Sequence, residues 1–172
     1  CPPVYVQVSP HHLTNARKVQ HVLAREQARF LCMVHDLIPI EFPEYARPSG
    51  AELHRRRMQT LVTHADAVIV NSAATGQSFK PWIDRSGRDI AMHVALLGTE
   101  PLAKPAEPTL TDARPYFVCI GTIEPRKNHL LLLNLWRHLA ETLPAHEIPR
   151  LVIIGKRGWE NEQVLDMLDR CP

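Results

Sequence analysis

The chain has 172 residues, 45% of them apolar, with 20 basic and 18 acidic side chains and a formal net charge of +2 when its ten histidines are neutral. That apolar content is enough for a core and excludes a disordered chain, and so balanced a charge gives no basic footprint for nucleic acid. No apolar stretch approaches the roughly 18 residues of a spanning helix, and no secretory leader is legible.

In chain order, Val4–Val8 reads as an extended piece, followed by a polar segment from His11 to Gln27 with weak helical spacing at Val19, Val22 and Leu23. Phe30 to Val34 predicts a short buried strand, and Pro39 and Pro43 an extended loop after it. Ser49-Gly50-Ala51-Glu52 has the spacing of a capping box. The helix it opens would bury Leu53, Met58, Leu61, Val62 and Ala65 and leave Arg55-Arg56-Arg57 largely outside. Ala67–Val70 predicts a second buried strand, with Ser72 capping a short helix that stops near Lys80-Pro81. Ile90, Met92, Val94 and Leu96 alternate as in a strand.

Prolines 101, 105 and 108 mark residues 98–114 as a linker. Residues 115–155 then predict one β-α-β unit with a right-handed crossover, and a last helix spans about Trp159 to Arg170. Strands alternate with helices on both sides of the linker. The chain therefore reads as α/β, parts of two doubly wound Rossmann-like domains, with a ligand cleft expected between them.

The four cysteines, Cys1, Cys32, Cys119 and Cys171, include no C-x-x-C pair, and two fall in predicted strands. They read as reduced thiols of a cytoplasmic protein. His11, His12 and His21 raise a metal site, but adjacent histidines seldom face one ion and no carboxylate stands at ligand spacing, so none is expected. P-loop, dinucleotide and nucleophile-elbow motifs are absent.

The stretch Gly121-Thr122-Ile123-Glu124-Pro125-Arg126-Lys127-Asn128 lies between the predicted strand Tyr116–Ile120 and a leucine-rich helix. Open α/β sheets bind ligands at such strand ends. A helix N-terminus adds unpaired amides and a positive dipole end, and Arg126 and Lys127 add two cations. Together they form a candidate phosphate cradle, against which stands the plainer reading of a solvated turn.

This octet resembles the phosphate-binding turn of glycosyltransferase family four, a large group of GT-B sugar transferases. Val34-His35-Asp36-Leu37-Ile38-Pro39 looks like the family's acceptor-domain "HD" turn. Ala65-Asp66-Ala67-Val68-Ile69-Val70-Asn71-Ser72 looks like its next strand, and Leu151-Val152-Ile153-Ile154-Gly155-Lys156-Arg157-Gly158-Trp159 like the second strand and loop of its nucleotide domain. The four stand in the family's order and cover the chain from about Val8 onward. The resemblance makes residues 1–97 the C-terminal part of an acceptor-side domain, and 115–172 the start of a nucleotide-sugar domain.

It also implies a reaction and roles. A sugar would pass from a nucleotide-diphosphate donor to an acceptor hydroxyl, with retention, without a metal or resident cofactor, in polysaccharide or glycolipid synthesis. Lys127 and Arg126, with Gly121 and Thr122, would hold the departing diphosphate, on which charge grows as the glycosidic bond breaks. Many family members carry an arginine close to Thr122; this chain has a hydroxyl there, which donates a hydrogen bond but no charge. His35 would face the donor sugar, and Asp36 would orient it or bind a hydroxyl. For Asp36 a turn cap is the competing reading. Glu124 would orient Lys127 or Arg126, while Asn128 and Gly155 support the turn. Gly155-Lys156-Arg157-Gly158 reads as a structural turn before it reads as nucleotide contact, and Trp159 stacks or staples the last helix. Arg55-Arg56-Arg57 reads as a solvated helix face, with anionic lipid at an inner membrane surface as the alternative.

The family's Gly-rich first turn does not occur in these residues, and its E-x7-E glutamates do not occur in the nucleotide-domain part, 115–172. The expectation is therefore the middle of a longer enzyme that does not turn over alone, with apolar edges at the strand 151–154 that favour association. A non-catalytic α/β module binding a phosphorylated ligand or a partner chain needs only residues 121–128 and is the second reading. A sugar-nucleotide epimerase would need a dinucleotide fingerprint and a Tyr-x-x-x-Lys pair, both missing.

Overall fold

The computed structural model describes residues 2–101 and 114–171, in two compact units that divide after Pro101. Most of the predicted linker, residues 102–113, lies outside the described residues, as does Cys1.

The first unit is built from β1 (Val4–Gln7), α1 (Ala16–Glu26), β2 (Arg29–Val34), a single turn α2 (Ile38–Glu41), α3 (Gly50–His64), β3 (Ala67–Val70), α4 (Ala73–Ser86) and β4 (Ala91–Val94). Its four strands pair in parallel in chain order, with Val34 beside Val70 and Val70 beside Val94. Crossovers of one hand that always step the same way carry the long helices to one face of the sheet. Burial agrees: Phe30, Cys32, Val34, Val68 and Val70 share one core with Val19 of α1, Met58 and Leu61 of α3 and Phe79 of α4. Residues of opposite parity, such as Val4 and Val6, stay exposed. Burial also pushes the Cys32 thiol up to about 12, as expected of an inert core cysteine.

The second unit contains β5 (Tyr116–Ile120), α5 (His129–Thr142), β6 (Arg150–Ile154) and α6 (Glu162–Arg170), with β5 and β6 paired in parallel. Trp136 of α5 packs edge-on against Phe117 at 5.7 Å and donates its indole N–H to the carbonyl of Pro149 at 2.7 Å. Alternating strands and helices on parallel sheets make both units Rossmann-like α/β structures.

Five local expectations are corrected. Pro39 and Pro43 sit in helical turns, α2 and a 3-10 turn at 43–45, because proline fits a first helical turn that needs no N–H from it. The Ser49 capping box does not form: Ser49 adopts φ +62°, its hydroxyl caps nothing, and Glu52 pairs with Arg56 at 3.0 Å instead. On α3 Met58, Leu61 and Val62 are buried as expected, with Ala65 just past the helix, but they are joined by His54 and Thr60; the 54-58-61-65 face turns Leu53 outward and Arg57 partly inward. The helix after Ser72 runs through Pro81 to Ser86 and ends where Gly87 takes φ +65°; burial of Phe79 and packing of Trp82 and Ile83 outweigh the one bond that proline removes. The last helix begins at Glu162 rather than Trp159.

Phe79 is fully buried, and truncating such a side chain loses its transfer energy and leaves a cavity. Phe79→Ala is therefore expected to lower the unfolding free energy by about 3–5 kcal/mol, measured by urea denaturation.

Candidate functional site

The turn after β5 is fixed by its neighbour rather than by itself. Past the paired strands, the N–H of Gly121 donates to the carbonyl of Ile154 and that of Ile123 to Lys156, both at 2.9 Å. The N–H of Gly158 returns to the Ile123 carbonyl at 3.0 Å, and the Asn161 amide donates to the same oxygen at 2.7 Å. This contact requires glycine. A Cβ on Gly155 would overlap the Gly121 carbonyl, and one on Gly158 would stand 2.6 Å from the Ile123 oxygen. Gly121 itself takes φ +149°, open to glycine and rarely to other residues.

A 3-10 turn, Pro125–Lys127, separates this segment from α5, and Asn128 links the two in the left-handed conformation at φ +50°. The amides of Lys127 and Asn128 donate back within the turn. With 121, 123, 127 and 128 so committed, what faces outward is the exposed Thr122, the uncapped first turn of α5 and the Lys127 ammonium. Among the described residues that ammonium has no partner, and the Lys127 stem folds over Gly121, its Cε 3.6 Å from where a Cβ there would be. Glu124 orients Arg126, not Lys127, through a 2.7 Å ion pair.

Beside the turn lies a cavity of about 380 Å³ bordered by Glu124, Asn128, Glu160, Asn161 and Glu162. Three carboxylates on its border suit hydroxyl groups better than an anion. Two residues there were not singled out from sequence. Asn161, buried, ties the loop to α6; His129, 1% exposed, places Nε2 3.7 Å from the Cys119 sulfur and has no partner for Nδ1 among the described residues. Nothing in their spacing marks either one. Arg157 forms a bidentate pair with Asp169 of α6 at 2.9 and 2.6 Å, a structural role for that loop.

In the first unit, His35 stands at the carboxyl end of β2. Its Nε2 lies 2.9 Å from the carbonyl of Val8, just past β1; a carbonyl only accepts, so Nε2 carries the proton and Nδ1 is left as an acceptor. The His35 carbonyl lies 3.2 Å from the Thr75 hydroxyl, at the start of α4, where Ser72 caps the helix as expected. Asp36 Oδ1 accepts from the N–H of Ile38 at 3.2 Å, so the carboxylate does cap the turn. His54 Nε2 donates to the Asp36 carbonyl at 3.0 Å. Four of these side chains, His35, Asp36, His54 and Arg57, line a cavity of about 210 Å³ at the strand ends. His54 was missed because it occupies a position on α3 where an apolar residue was expected; the 54-58-61-65 spacing points to it.

His11, His12 and His21 are all exposed, and among the described residues no group of three or more His, Cys, Asp or Glu could hold a metal ion. Arg55 and Arg56 face solvent. Among the described residues no helix is long and apolar enough to cross a membrane.

Burial lowers the pKa of His54 below its ordinary 6.5, with the Asp36 carbonyl and carboxylate opposing the shift and Arg57 reinforcing it. The folded unit then binds fewer protons than the unfolded chain as the medium acidifies. The stability this confers is complete above about pH 6.5 and is lost as pH falls through the lowered value. His64, lowered by burial and by Arg88, contributes with the same sign. Unfolding free energy is thus expected to fall on acidification below about pH 6.5. His54→Gln, which keeps a donor for the Asp36 carbonyl, should flatten part of that slope in denaturation curves taken across pH.

No family model matches the chain, and no solved structure does. The chain is similar to "Serotype-specific mannosyltransferase WbdA" proteins of Escherichia coli: 27% identical over 170 residues to one and 28% over 173 residues to another, each alignment covering 86% of this chain. The chain spans about a fifth of the length of these relatives, 20% in both cases.

Proposed function

We propose that the chain forms part of a GT-B glycosyltransferase of the family-four kind, which moves a sugar from a nucleotide-diphosphate donor to an acceptor hydroxyl in polysaccharide or glycolipid synthesis. The observation that carries this reading is the similarity to mannosyltransferases along 86% of the chain; by that similarity the sugar is mannose. The geometry of the turn after β5 supports it. A cation without a partner among the described residues lies over a glycine at a strand end, next to an uncapped helix, which is an arrangement suited to a diphosphate.

In this reading Lys127 holds the leaving diphosphate, with Thr122 donating a hydrogen bond. Arg126, already paired to Glu124, contributes less charge than its position suggests. Gly121, Gly155 and Asn128 shape the turn. His35 presents Nδ1 to a sugar hydroxyl, and Asp36 fixes the turn that aims it. The chemistry proceeds with retention and without a metal; the enzyme works in the cytoplasm, at or near the inner membrane face that carries its acceptor.

Calorimetric titration of GDP and UDP into the chain is expected to show binding of at least one. Lys127→Ala should weaken it about tenfold or more, the value of a lost hydrogen bond between charged groups, while Lys18→Ala, on α1, should change nothing. Binding that is indifferent to Lys127, or no binding of either nucleotide, would count against the reading.

A further inference from the structure

The cavity in the first unit contains a cation that, among the described residues, forms no ion pair, although the Asp36 carboxylate lines the same space. Arg57 is half-buried, its Nε is shut off from solvent without a hydrogen-bond partner, and among the described residues its guanidinium makes no hydrogen bond or ion pair. Holding such a group in a protein is costly unless something in the site answers it. The other polar groups facing the same space are of the opposite kind. His35 and His54 each spend Nε2–H on a backbone carbonyl, so that in the neutral ring Nδ1 is an acceptor, and Asp36 contributes a carboxylate. The site thus offers one forked cationic donor and several acceptors.

We infer that this cavity binds an oxyanion carried on a hydroxylated ring, a sugar phosphate or a sugar acid. Arg57 takes the oxyanion through Nε–H and a terminal N–H, and the ring hydroxyls donate to His35, His54 and Asp36. A neutral sugar would give Arg57 hydroxyl acceptors but no charge; a bare anion would meet the Asp36 charge without hydroxyls to offset it. The volume of about 210 Å³ is on the scale of a single sugar ring with its charged group. The inference stands on the first unit alone. Its extension, that the acceptor in the proposed transfer is acidic, rests on the reading above.

The test titrates glucose 6-phosphate, glucuronate and glucose separately into Lys127→Ala protein, so that the turn after β5 does not compete for the anion. The Arg57 Nε–H resonance is followed by NMR and assigned by its loss in Arg57→Gln. At least one acid is expected to shift this resonance and bind about tenfold or more tightly than glucose. Arg57→Gln should cost that factor, and Asp36→Asn should tighten binding. Response to the phosphate alone identifies a sugar phosphate as the ligand class; response to glucuronate alone identifies a sugar acid. No shift with either acid, or equal binding of glucose, overturns the inference. Among the described residues Arg57 has no hydrogen-bond or ion-pair partner, so Arg57→Gln should keep its circular dichroism; if it unfolds, Arg57→Lys, which keeps the charge and loses the fork, should still weaken binding of the acid. Nucleotide binding to the wild-type chain is measured in parallel, so failure here and failure of the proposed function remain separate results.

Discussion

Parallel strand pairing is the constraint from which the sites follow. In the first unit four strands point the same way, so their carboxyl ends share one edge and the backbone emerging there must find partners beyond the ladder. His35 meets that need at two points: its ring takes the carbonyl past β1, and its own carbonyl lies within reach of the Thr75 hydroxyl at the head of α4. The HD segment is therefore a structural junction between three β-α units before it is anything else. A ring held in this way has one nitrogen committed and the other available, which is a useful state for a group that meets a substrate.

The second unit meets the same constraint differently. Its two loops continue the pairing of β5 and β6 with their own backbones, at a separation that only Gly155 and Gly158 allow. The cost is a turn whose amides are mostly committed. In the proposed reading, what remains for an anion is the side chains and the helix end, above all Lys127.

Much of the fold was legible because periodicity reports burial. The apolar runs of β2 and β3 marked strands, and Ser72 marked a helix start that the structure contains. What misled were short-range signals overruled by packing. Ser49 offered a cap but turned left-handed; Pro81 signalled a stop but lay between buried Phe79 and the packed Trp82. In the candidate sites, strand-end residues such as His35 and Lys127 could be found from their place in the chain. His54, Arg57 and Asn161 could not be found that way. Their partners are 18 residues distant for His54 and 38 for Asn161, or, for Arg57, absent among the described residues.

The paired loops also limit how the second unit can respond to a ligand. Ile123 is buried and held by three hydrogen bonds from its own N–H and to its carbonyl. Arg157, bridged to Ile123, is clamped in turn to α6 through Asp169. Residues 121–123 and 155–158 therefore act as one stiff plate attached to a helix. In the reading proposed above, adjustment to differently sized phosphate groups comes from the long stem of Lys127, which lies over Gly121, so a rigid recognition surface keeps its tolerance in a single side chain.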